Sequence, residues 1–190
     1  MQKYLKNPLL LRGLKFDLRI YVLVTSLHPL EAFIYKEGFG RLSTVPFSLD
    51  PETLDKQFIH LTNYSIQKNN MNMSLLNESE AIFGGSKISL KTVKSKVEER
   101  GYCWARIWAQ IQEIAVKTLL ACQGEIPKNP NCFELFGFDV IIDDEGKCWL
   151  LEVNSSPSLS REYILDDIVK QQLIDDTIDL VDPILFDRER

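Results

Sequence analysis

The sequence predicts an α+β domain in which a mostly antiparallel sheet is flanked by helices. Two β-rich runs, Phe133 to Ile142 and Cys148 to Val153, are separated by the turn-forming residues 143–146, which is typical of a hairpin. An earlier run, Leu14 to Ser26, has the β-branched and aromatic composition of a strand that enters the core. Apolar residues recur with a helical period between Cys103 and Cys122, which predicts a helix packed on that core.

Length, composition and charge limit the possible classes. The chain has 190 residues, 45% of them hydrophobic, which is enough for one sizeable core, and we place the domain at residues 1–182 with a tail at 183–190. The net charge of −5 argues against a general nucleic-acid binder. Lys and Arg outnumber acids in residues 1–100, so this half is expected to meet an anion. No apolar run approaches the length of about 18 residues that suggests a membrane span.

The cysteines and the first residues allow two further predictions, one on the redox state of the thiols and one on the start of the domain. The four cysteines show no CxxC spacing and are expected to be reduced, packed thiols of a cytosolic protein. The chain begins abruptly, with a predicted strand from residue 2, and we therefore expect a domain cut from a longer one. The commonest phosphate-binding glycine loops do not occur in the sequence.

The predicted hairpin carries a candidate cation site. A turn centred on Glu145 and Gly146 would place Asp139 opposite Glu152, and Asn154 would share the face of Glu152. The alternative is a pair of acids on a solvated sheet face. The flanking runs are apolar without alternation, which indicates a strand covered on both faces, where an unpaired acid costs several kcal/mol. Carboxylate and amide oxygens in this number suit Mg²⁺.

The strand that begins at Leu14 carries three charges on one face. Lys15, Asp17 and Arg19 alternate with apolar residues, so all three project to the same side. Such alternation is usual for a solvent-facing strand. The alternative is a strand facing a cleft, in which Lys and Arg hold phosphates while Asp17 orients them.

Several shorter motifs supply further candidates. Glycines at positions 38 and 40 predict a turn that presents Arg41 and permits close approach to a ligand. The segment Phe58 to Gln67 combines a histidine, expected to be a core residue, with polar side chains that could line a ligand site: Thr62, Asn63, Tyr64 and Ser65.

The segments on either side of the long helix and the hairpin predict a loop and two charged helices. Lys68 to Gly85 is predicted to be a mobile loop. Lys87, Lys91 and Lys94 are spaced to share one helix face, which would be solvated or would suit an acidic peptide. Tyr163 to Val181 reads as an acidic amphipathic helix whose only base is Lys170 and whose apolar side includes Ile164, Ile168, Leu173, Ile174 and Ile178.

Five segments together resemble the tubulin–tyrosine-ligase-like family of ATP-grasp ligases. They are QKYL at 2–5, KFDLRIYVLV at 15–24, HLTNYSI at 60–66, FELFGFDVIID at 133–143 and LLEVNSSPSL at 150–159. The segments follow the family's order and span most of the chain. The resemblance covers the C-terminal part of the family's catalytic domain and implies a partial ATP-grasp-like fold.

The resemblance also implies a role for each matched residue. ATP would be held by Gln2, Lys3, Tyr4, Leu5, Lys15, Asp17, Thr62 and Asn63. Arg19 would face the γ-phosphate and the transferred carboxylate, and Mg²⁺ would be bound by Asp139, Glu152 and Asn154, with Arg19 and Glu152 as the catalytic pair. The incoming amino acid would contact Arg41, Tyr64, Ser65, Lys87 and Lys170, as in the glutamate-adding branch.

The implied activity is ATP-dependent addition of free glutamate to glutamate side chains of tubulin or similar acidic tails, through an acyl phosphate. The implied location is the cytoplasm, at the microtubule cytoskeleton or a cilium or flagellum. Two alternatives stay open. One is a relative that adds glycine or tyrosine, and the other is a catalytically incomplete fragment that binds tubulin or nucleotide.

Overall fold

The computed structural model describes residues 2–70, 85–126 and 132–182. Within these ranges an open antiparallel sheet contains the strands β1 (Leu10–Leu11), β2 (Leu14–Leu27), β3 (Leu30–Leu42), β4 (Lys87–Ser89), β5 (Glu134–Ile142) and β6 (Cys148–Asn154). The strand order is β4-β3-β2-β5-β6, and β1 pairs with β2. The helices are α1 (Gln57–His60), α2 (Tyr64–Gln67), α3 (Leu90–Glu98), α4 (Trp104–Cys122) and α5 (Ile164–Val181). The predicted α+β class is confirmed.

The two faces of the central strand β2 enter different environments. Phe16, Leu18 and Ile20 are fully buried in the main core, against residues of α3 and α4. Tyr21, on the opposite face, belongs to a smaller cluster with Phe39 and residues of α5. The helices therefore cover one face of the sheet along its length and the other face at one end, which leaves part of the second face for polar side chains.

The long helix α4 agrees with the sequence prediction. Its buried residues, Ile107, Ile111, Ala115 and Leu119, recur every three or four positions and contact the main core. The helix begins at Trp104, one residue after the predicted start at Cys103. In contrast, the prediction of packed thiols was wrong for three cysteines, because Cys103, Cys122 and Cys132 are exposed and Cys148 is buried.

The predicted register of the β5–β6 hairpin at Asp139 and Glu152 is confirmed, but a different turn produces it. Asp143 N–H donates to the Lys147 carbonyl at 2.9 Å, so the turn contains three residues and is not centred on Glu145 and Gly146. Further along, Val140 faces Leu150 whereas Asp139 faces Glu152, so the strand contains an irregularity at Leu151. The irregularity compensates for the longer turn and restores the predicted pair.

Arg41 and Lys87 lie in strands, contrary to the predicted turn and helix. The β3 strand continues through both glycines to Leu42, because its partners pair with it along this length. Lys87 pairs with Arg41, and α3 begins only at Leu90, where the Ser89 hydroxyl accepts the Thr92 N–H. Lys91 and Lys94 are exposed on α3, so the three lysines do not share a helix face.

Of the residues predicted on the apolar side of α5, Leu173 is buried, but three of the isoleucines are not. Leu165, Val169 and Leu173 are the residues that pack on the sheet, while Ile164, Ile168 and Ile178 are about half exposed. Charged residues on the buried side, described below, form ion pairs there. The helix therefore buries a different face from the one that the isoleucines indicated. Where the chain is described, no helix has the length and apolar character needed to cross a membrane.

Two further predictions concern the ends of segments. Residues 2–5 form no strand, and the first strand is β1. The described hydrogen bonds of these residues are made by the side chains of Gln2 and Tyr4. The predicted loop at 68–85 lies mostly in residues 71–84, outside the described residues, as does the tail at 183–190.

Glycine is expected to be required at position 40 for packing. A Cβ atom there would lie 2.5 Å from Val93 Cγ2 and 3.1 Å from Ile88 Cγ1. We expect Gly40→Ala to lower the free energy of unfolding by about 1–3 kcal/mol, measured by urea unfolding of the full-length protein. Gly124→Ala is the matched control, since its Cβ would meet no atom within 4 Å. An equal effect of the two substitutions would contradict this packing argument.

Candidate active site

The sheet register places charged side chains in a row on the face opposite the main core. Arg41 of β3 faces Asp17 of β2 on one side and Lys87 of β4 on the other. Nearby, Asp139 of β5 faces Arg19 of β2 and Glu152 of β6. Residues directly opposite each other across an antiparallel pair share a face. The three charges predicted to alternate on β2 therefore line a surface shared by five strands.

Four of these side chains form one buried ion-pair cluster. Arg41 Nε lies 2.8 Å from Asp17 Oδ1, and Arg41 Nη2 contacts Asp17 Oδ2 and lies 2.7 Å from Asp139 Oδ2. Arg19 Nε and Nη2 lie 2.5 and 3.1 Å from the two Asp139 oxygens. Asp17 and Asp139 are almost fully buried. The solvated-face interpretation of the β2 charges is therefore wrong at Asp17.

The pairing sets the protonation of the cluster. Burial would raise the pKa of the Asp139 carboxyl, but the Arg19 hydrogen bonds and the Arg41 charge outweigh it, and the pKa is lowered. Burial would likewise lower the pKa of Arg41, and its two acidic partners raise it instead. Asp139 and Arg41 therefore both carry their charges at neutral pH. Arg19 and Arg41, predicted to contact different substrates, share the Asp139 carboxylate.

The residues predicted to bind Mg²⁺ are adjacent but differ in environment. Glu152 is exposed, and its described hydrogen bond comes from Asn154 Nδ2 at 3.3 Å. Asn154 Nδ2 also donates to the Gly137 carbonyl, so the amide oxygen stays available as a ligand. Asp139 accepts three guanidinium hydrogen bonds, and a carboxylate offers about four lone-pair sites.

This donor set fits a hard cation in an open site. Carboxylate and amide oxygens would come from Glu152 and Asn154, with remaining capacity on Asp139. Among the described residues, no group of three or more His, Cys, Asp or Glu side chains is arranged to hold a metal. The residues present would therefore leave coordination positions to phosphates and water. The predicted covering of both strand faces is wrong at Glu152, because its side chain is exposed on the face that the helices leave free.

The segment predicted to contact adenine lies beside the charged strand. Gln2 Nε2 donates to the Leu151 carbonyl of β6 at 3.1 Å. Lys15 Nζ lies 3.4 Å from the Tyr4 hydroxyl and donates to the His60 carbonyl at 2.7 Å. Burial lowers the pKa of Lys15, and the Asp17 charge offsets part of this. Lys3 and Leu5, predicted as further contacts, are exposed and half-buried respectively.

His60 contributes more to this region than the sequence indicated. Its Nε2 lies 3.0 Å from the Thr53 carbonyl, which can only accept, so Nε2 carries a proton. Its Nδ1 lies 2.8 Å from the Tyr4 hydroxyl. The expected core histidine is confirmed as buried and bonded to the backbone, but it also holds Tyr4 beside Lys15.

The polar residues that follow His60 spread over a short helix. Thr62 is buried, whereas Asn63 and Ser65 are exposed around the start of α2. Tyr64 points toward α5, with its hydroxyl 3.4 Å from that of Tyr163. The predicted polar lining is therefore divided, and Tyr64 belongs to a second charged cluster.

This second cluster joins the two lysines predicted to bind the amino acid. Lys87 Nζ lies 2.9 and 2.6 Å from the Asp166 oxygens, and Lys170 Nζ lies 2.9 Å from Asp166 Oδ1. Lys87 Nζ is also 4.3 Å from the centre of the Tyr64 ring. Since Lys87 is the cross-strand partner of Arg41, the cluster is continuous with the charged row on the sheet.

Asp166 is the site residue that sequence reasoning missed. It is fully buried and contacts two lysines that are far apart in sequence. One signal was present, because Asp166 and Lys170 are four residues apart in a predicted helix. The contact with Lys87 carried no such signal, since it depends on how α5 packs over β4.

A cavity of about 620 Å³ lies elsewhere, between β3 and the C-terminal half of α5. Its lining is apolar at Leu23, Phe33 and Leu173, and its three acids, Glu37, Asp176 and Asp179, outnumber its one base, Lys36. None of the predicted site residues lines it. Acids would repel phosphates, so this cavity does not suit a nucleotide.

Known sequences resemble this chain along its whole length. The sequence profile described as Tubulin-tyrosine ligase family matches residues 1–190. Tubulin polyglutamylase TTLL6 from Homo sapiens is 42% identical over 192 residues, which is 95% of this chain and 21% of TTLL6. Tubulin polyglutamylase TTLL5 from Mus musculus is 37% identical over 189 residues, and tubulin polyglutamylase TTLL13 from Homo sapiens is 38% identical over 195. In both cases the match covers 95% of this chain, but it covers only 14% of TTLL5 and 23% of TTLL13.

Proposed function

Because the chain belongs to the tubulin-tyrosine ligase family, we propose that it forms part of the active site of a protein glutamate ligase. The reaction would use ATP and Mg²⁺ to add free glutamate to glutamate side chains of tubulin tails. The relatives' names, tubulin polyglutamylases, support the amino acid and the acceptor. The observation that most directly supports this proposal is that the Arg19–Arg41 cluster continues into the Lys87–Lys170 cluster. Together the two clusters offer cations for both phosphate and amino acid.

The first step would be formation of an acyl phosphate. An oxygen of the acceptor carboxylate attacks the γ-phosphorus, and the bond to ADP breaks. Arg19 would neutralise developing charge on the transferred group, and Lys15 would hold the remaining phosphates. When bound at Glu152 and Asn154, Mg²⁺ supplies further charge neutralisation at the phosphate oxygens. Positioning and electrostatics are sufficient for this chemistry, so a nucleophilic Ser or Cys is not needed.

The second step would join the amino acid to the acceptor. The glutamate amine attacks the acyl carbon, phosphate leaves with the C–O bond electrons, and the nitrogen loses a proton to give an isopeptide bond. Arg41 would hold the α-carboxylate, and Lys87 with Lys170 would hold the side-chain carboxylate. Glycine and tyrosine would leave this lysine pair unmatched, which opposes their binding.

The proposed partners and location follow from the same reaction. Acidic tails of tubulin would approach the charged face, and the exposed Lys91 and Lys94 on α3 could attract them. A protein with this substrate would act in the cytoplasm, on the microtubule cytoskeleton or in a cilium or flagellum.

The full-length protein should incorporate labelled glutamate into tubulin in the presence of ATP and Mg²⁺. Unlabelled glutamate should reduce incorporation of the label at a concentration at least about tenfold lower than glycine or tyrosine. The reason is that loss of one charged contact costs over about 1.4 kcal/mol of binding free energy. Incorporation is measured by scintillation counting and located by mass spectrometry of the tails. Absence of any incorporation by the wild-type protein would refute the proposed function, and preference for glycine or tyrosine would refute the amino acid.

A further inference from the structure

We propose that Asp166 is a positioning residue for the amino-acid substrate: its carboxylate holds Lys87 and Lys170 together as one binding group for the side-chain carboxylate of glutamate. The proposal rests on the proposed function for the identity of the ligand. It adds a residue that contacts no substrate itself and acts through two others.

The geometry shows why one carboxylate can organise both lysines. Oδ1 of Asp166 lies 2.9 Å from Lys87 Nζ and 2.9 Å from Lys170 Nζ, so the two ammonium groups meet at a single atom. Asp166 is itself held in place, because it is 0% exposed and accepts the Tyr163 N–H at 3.3 Å where α5 begins. The lysines therefore take their positions from the first turn of a helix.

The two lysines have N–H donors left for a ligand. An ammonium group has three N–H donors. Those of Lys170 include one to Asp166 and one to the Ser160 carbonyl, which leaves a third without a partner among the described residues. Among the described residues, the hydrogen bonds of Lys87 Nζ run only to the two Asp166 oxygens, so Lys87 also keeps at least one donor for a ligand. Two donors from neighbouring ammonium groups match the two oxygens of a carboxylate.

The charge of the cluster points to the same ligand. Two lysines and one aspartate give a net charge of +1, which one carboxylate balances. Without Asp166, two ammonium groups would lie together, with Lys87 Nζ near the rings of Phe39, Tyr64 and Tyr163. Such an environment disfavours the charged form of at least one lysine.

The surrounding titratable groups agree with this role. Burial lowers the pKa of Lys87, Asp166 opposes that shift, the Lys170 charge adds to it, and Glu162 weakly opposes it. For Asp166, burial would raise the pKa, but the two lysines outweigh it and the pKa is lowered. Burial raises the pKa of Tyr64, so its hydroxyl stays neutral. Asp166 is thus the acid in direct contact with both lysines.

The test is the Asp166→Asn variant of the full-length protein in the glutamate assay. With the negative charge removed, a lysine should lose its proton at lower pH than in the wild type. The ratio of variant to wild-type KM for glutamate should therefore rise about tenfold or more between about pH 6.5 and about pH 9, and kcat should change less than about threefold. Taking the ratio at each pH removes the titration of the substrate amine.

Two further variants separate charge from structure. Asp167→Asn removes the same charge from the same helix turn, but Asp167 is exposed and lies 3.8 Å from Arg161, so KM should not change. Asp166→Glu keeps the charge and should recover most of the wild-type pH profile. A flat KM ratio for Asp166→Asn with an active wild type would overturn the inference alone. An inactive wild type would instead refute the proposed function.

A second measurement decides the role of Asp166 without ligase activity. Competitive acetylation over a pH series, read by mass spectrometry, reports the pKa of each lysine. In Asp166→Asn, Lys87 should react at a pH at least about one unit lower than in the wild type, because it has lost its counter-charge. Unchanged profiles for both lysines in a folded variant would overturn the inference.

Discussion

Replacing Glu152 with Gln should reduce glutamate incorporation at least about 100-fold, because metal-assisted charge stabilisation contributes several kcal/mol to such reactions. Gln keeps the size of the side chain and removes its charge. Glu152 is exposed and bonds only Asn154 among the described residues, so the free energy of unfolding should change by less than about 0.5 kcal/mol. A large loss of activity in a fully stable protein is the expected combination.

The matched control is Glu145→Gln, in the turn of the same hairpin. The Glu145 side chain makes no described hydrogen bond or ion pair, so incorporation should stay within about twofold of the wild type. Initial rates should be measured over a range of Mg²⁺ concentrations, since a weakened metal site is partly restored by excess metal. Undiminished incorporation by Glu152→Gln would exclude Glu152 from the metal site.

Replacing Asp139 with Asn should, unlike Glu152→Gln, have a large effect on stability. Asp139 is 1% exposed and pairs with both Arg19 and Arg41. The substitution leaves two buried guanidinium groups with Asp17 as their one carboxylate, and its amide donors point toward other donors. Breaking a buried ion pair from one side costs about 3–5 kcal/mol. Hydrogen exchange of peptides from β2 and β5 in the full-length protein measures this loss locally.

A double substitution tests whether charge is the cause. Adding Arg19→Met to Asp139→Asn leaves Arg41 with Asp17 and restores neutrality. We expect the double variant to be more stable than the sum of the two single effects by about 1–3 kcal/mol. Additive effects would show that Asp139 stabilises by packing rather than by charge. Glu134→Gln, at an exposed position of the same strand, should change nothing measurable.

The stability difference between wild type and Asp139→Asn should also depend on pH. The pKa of Asp139 is lowered in the folded protein, so the unfolded chain takes up its proton first as the pH falls. The contribution of Asp139 is therefore complete above the ordinary aspartate pKa of about 3.9 and is lost as the pH falls toward the lowered value. The two proteins should approach each other in stability below about pH 3.9.

Local pattern was sufficient for much of the fold. The period of α4, the β-rich runs of β5 and β6 and the alternation of Lys15, Asp17 and Arg19 all come from neighbouring residues, and each is present in the structure. The pairing of Asp139 with Glu152 was also predicted correctly, although the turn that was expected to produce it differs.

Predictions failed where a distant partner overrides local preference. Gly38 and Gly40 resemble turn glycines, but their missing Cβ atoms make room for the Arg19 backbone and for Val93. Isoleucines on α5 looked like the packed side, yet that side is exposed because Asp166 and Lys170 find Lys87 and each other underneath. Neither outcome can be obtained from residues close in the chain.

The sequence by itself therefore determined which charges share a face of the central strand and where the long helix and the hairpin strands lie, because these depend on backbone periodicity. Only the tertiary structure decided which charges neutralise each other. Asp139 and Arg41 meet through the order β3-β2-β5, and Lys87 meets Asp166 through the packing of α5. A buried charge depends on the partners that surround it in space, and long-range sheet order brings those partners together.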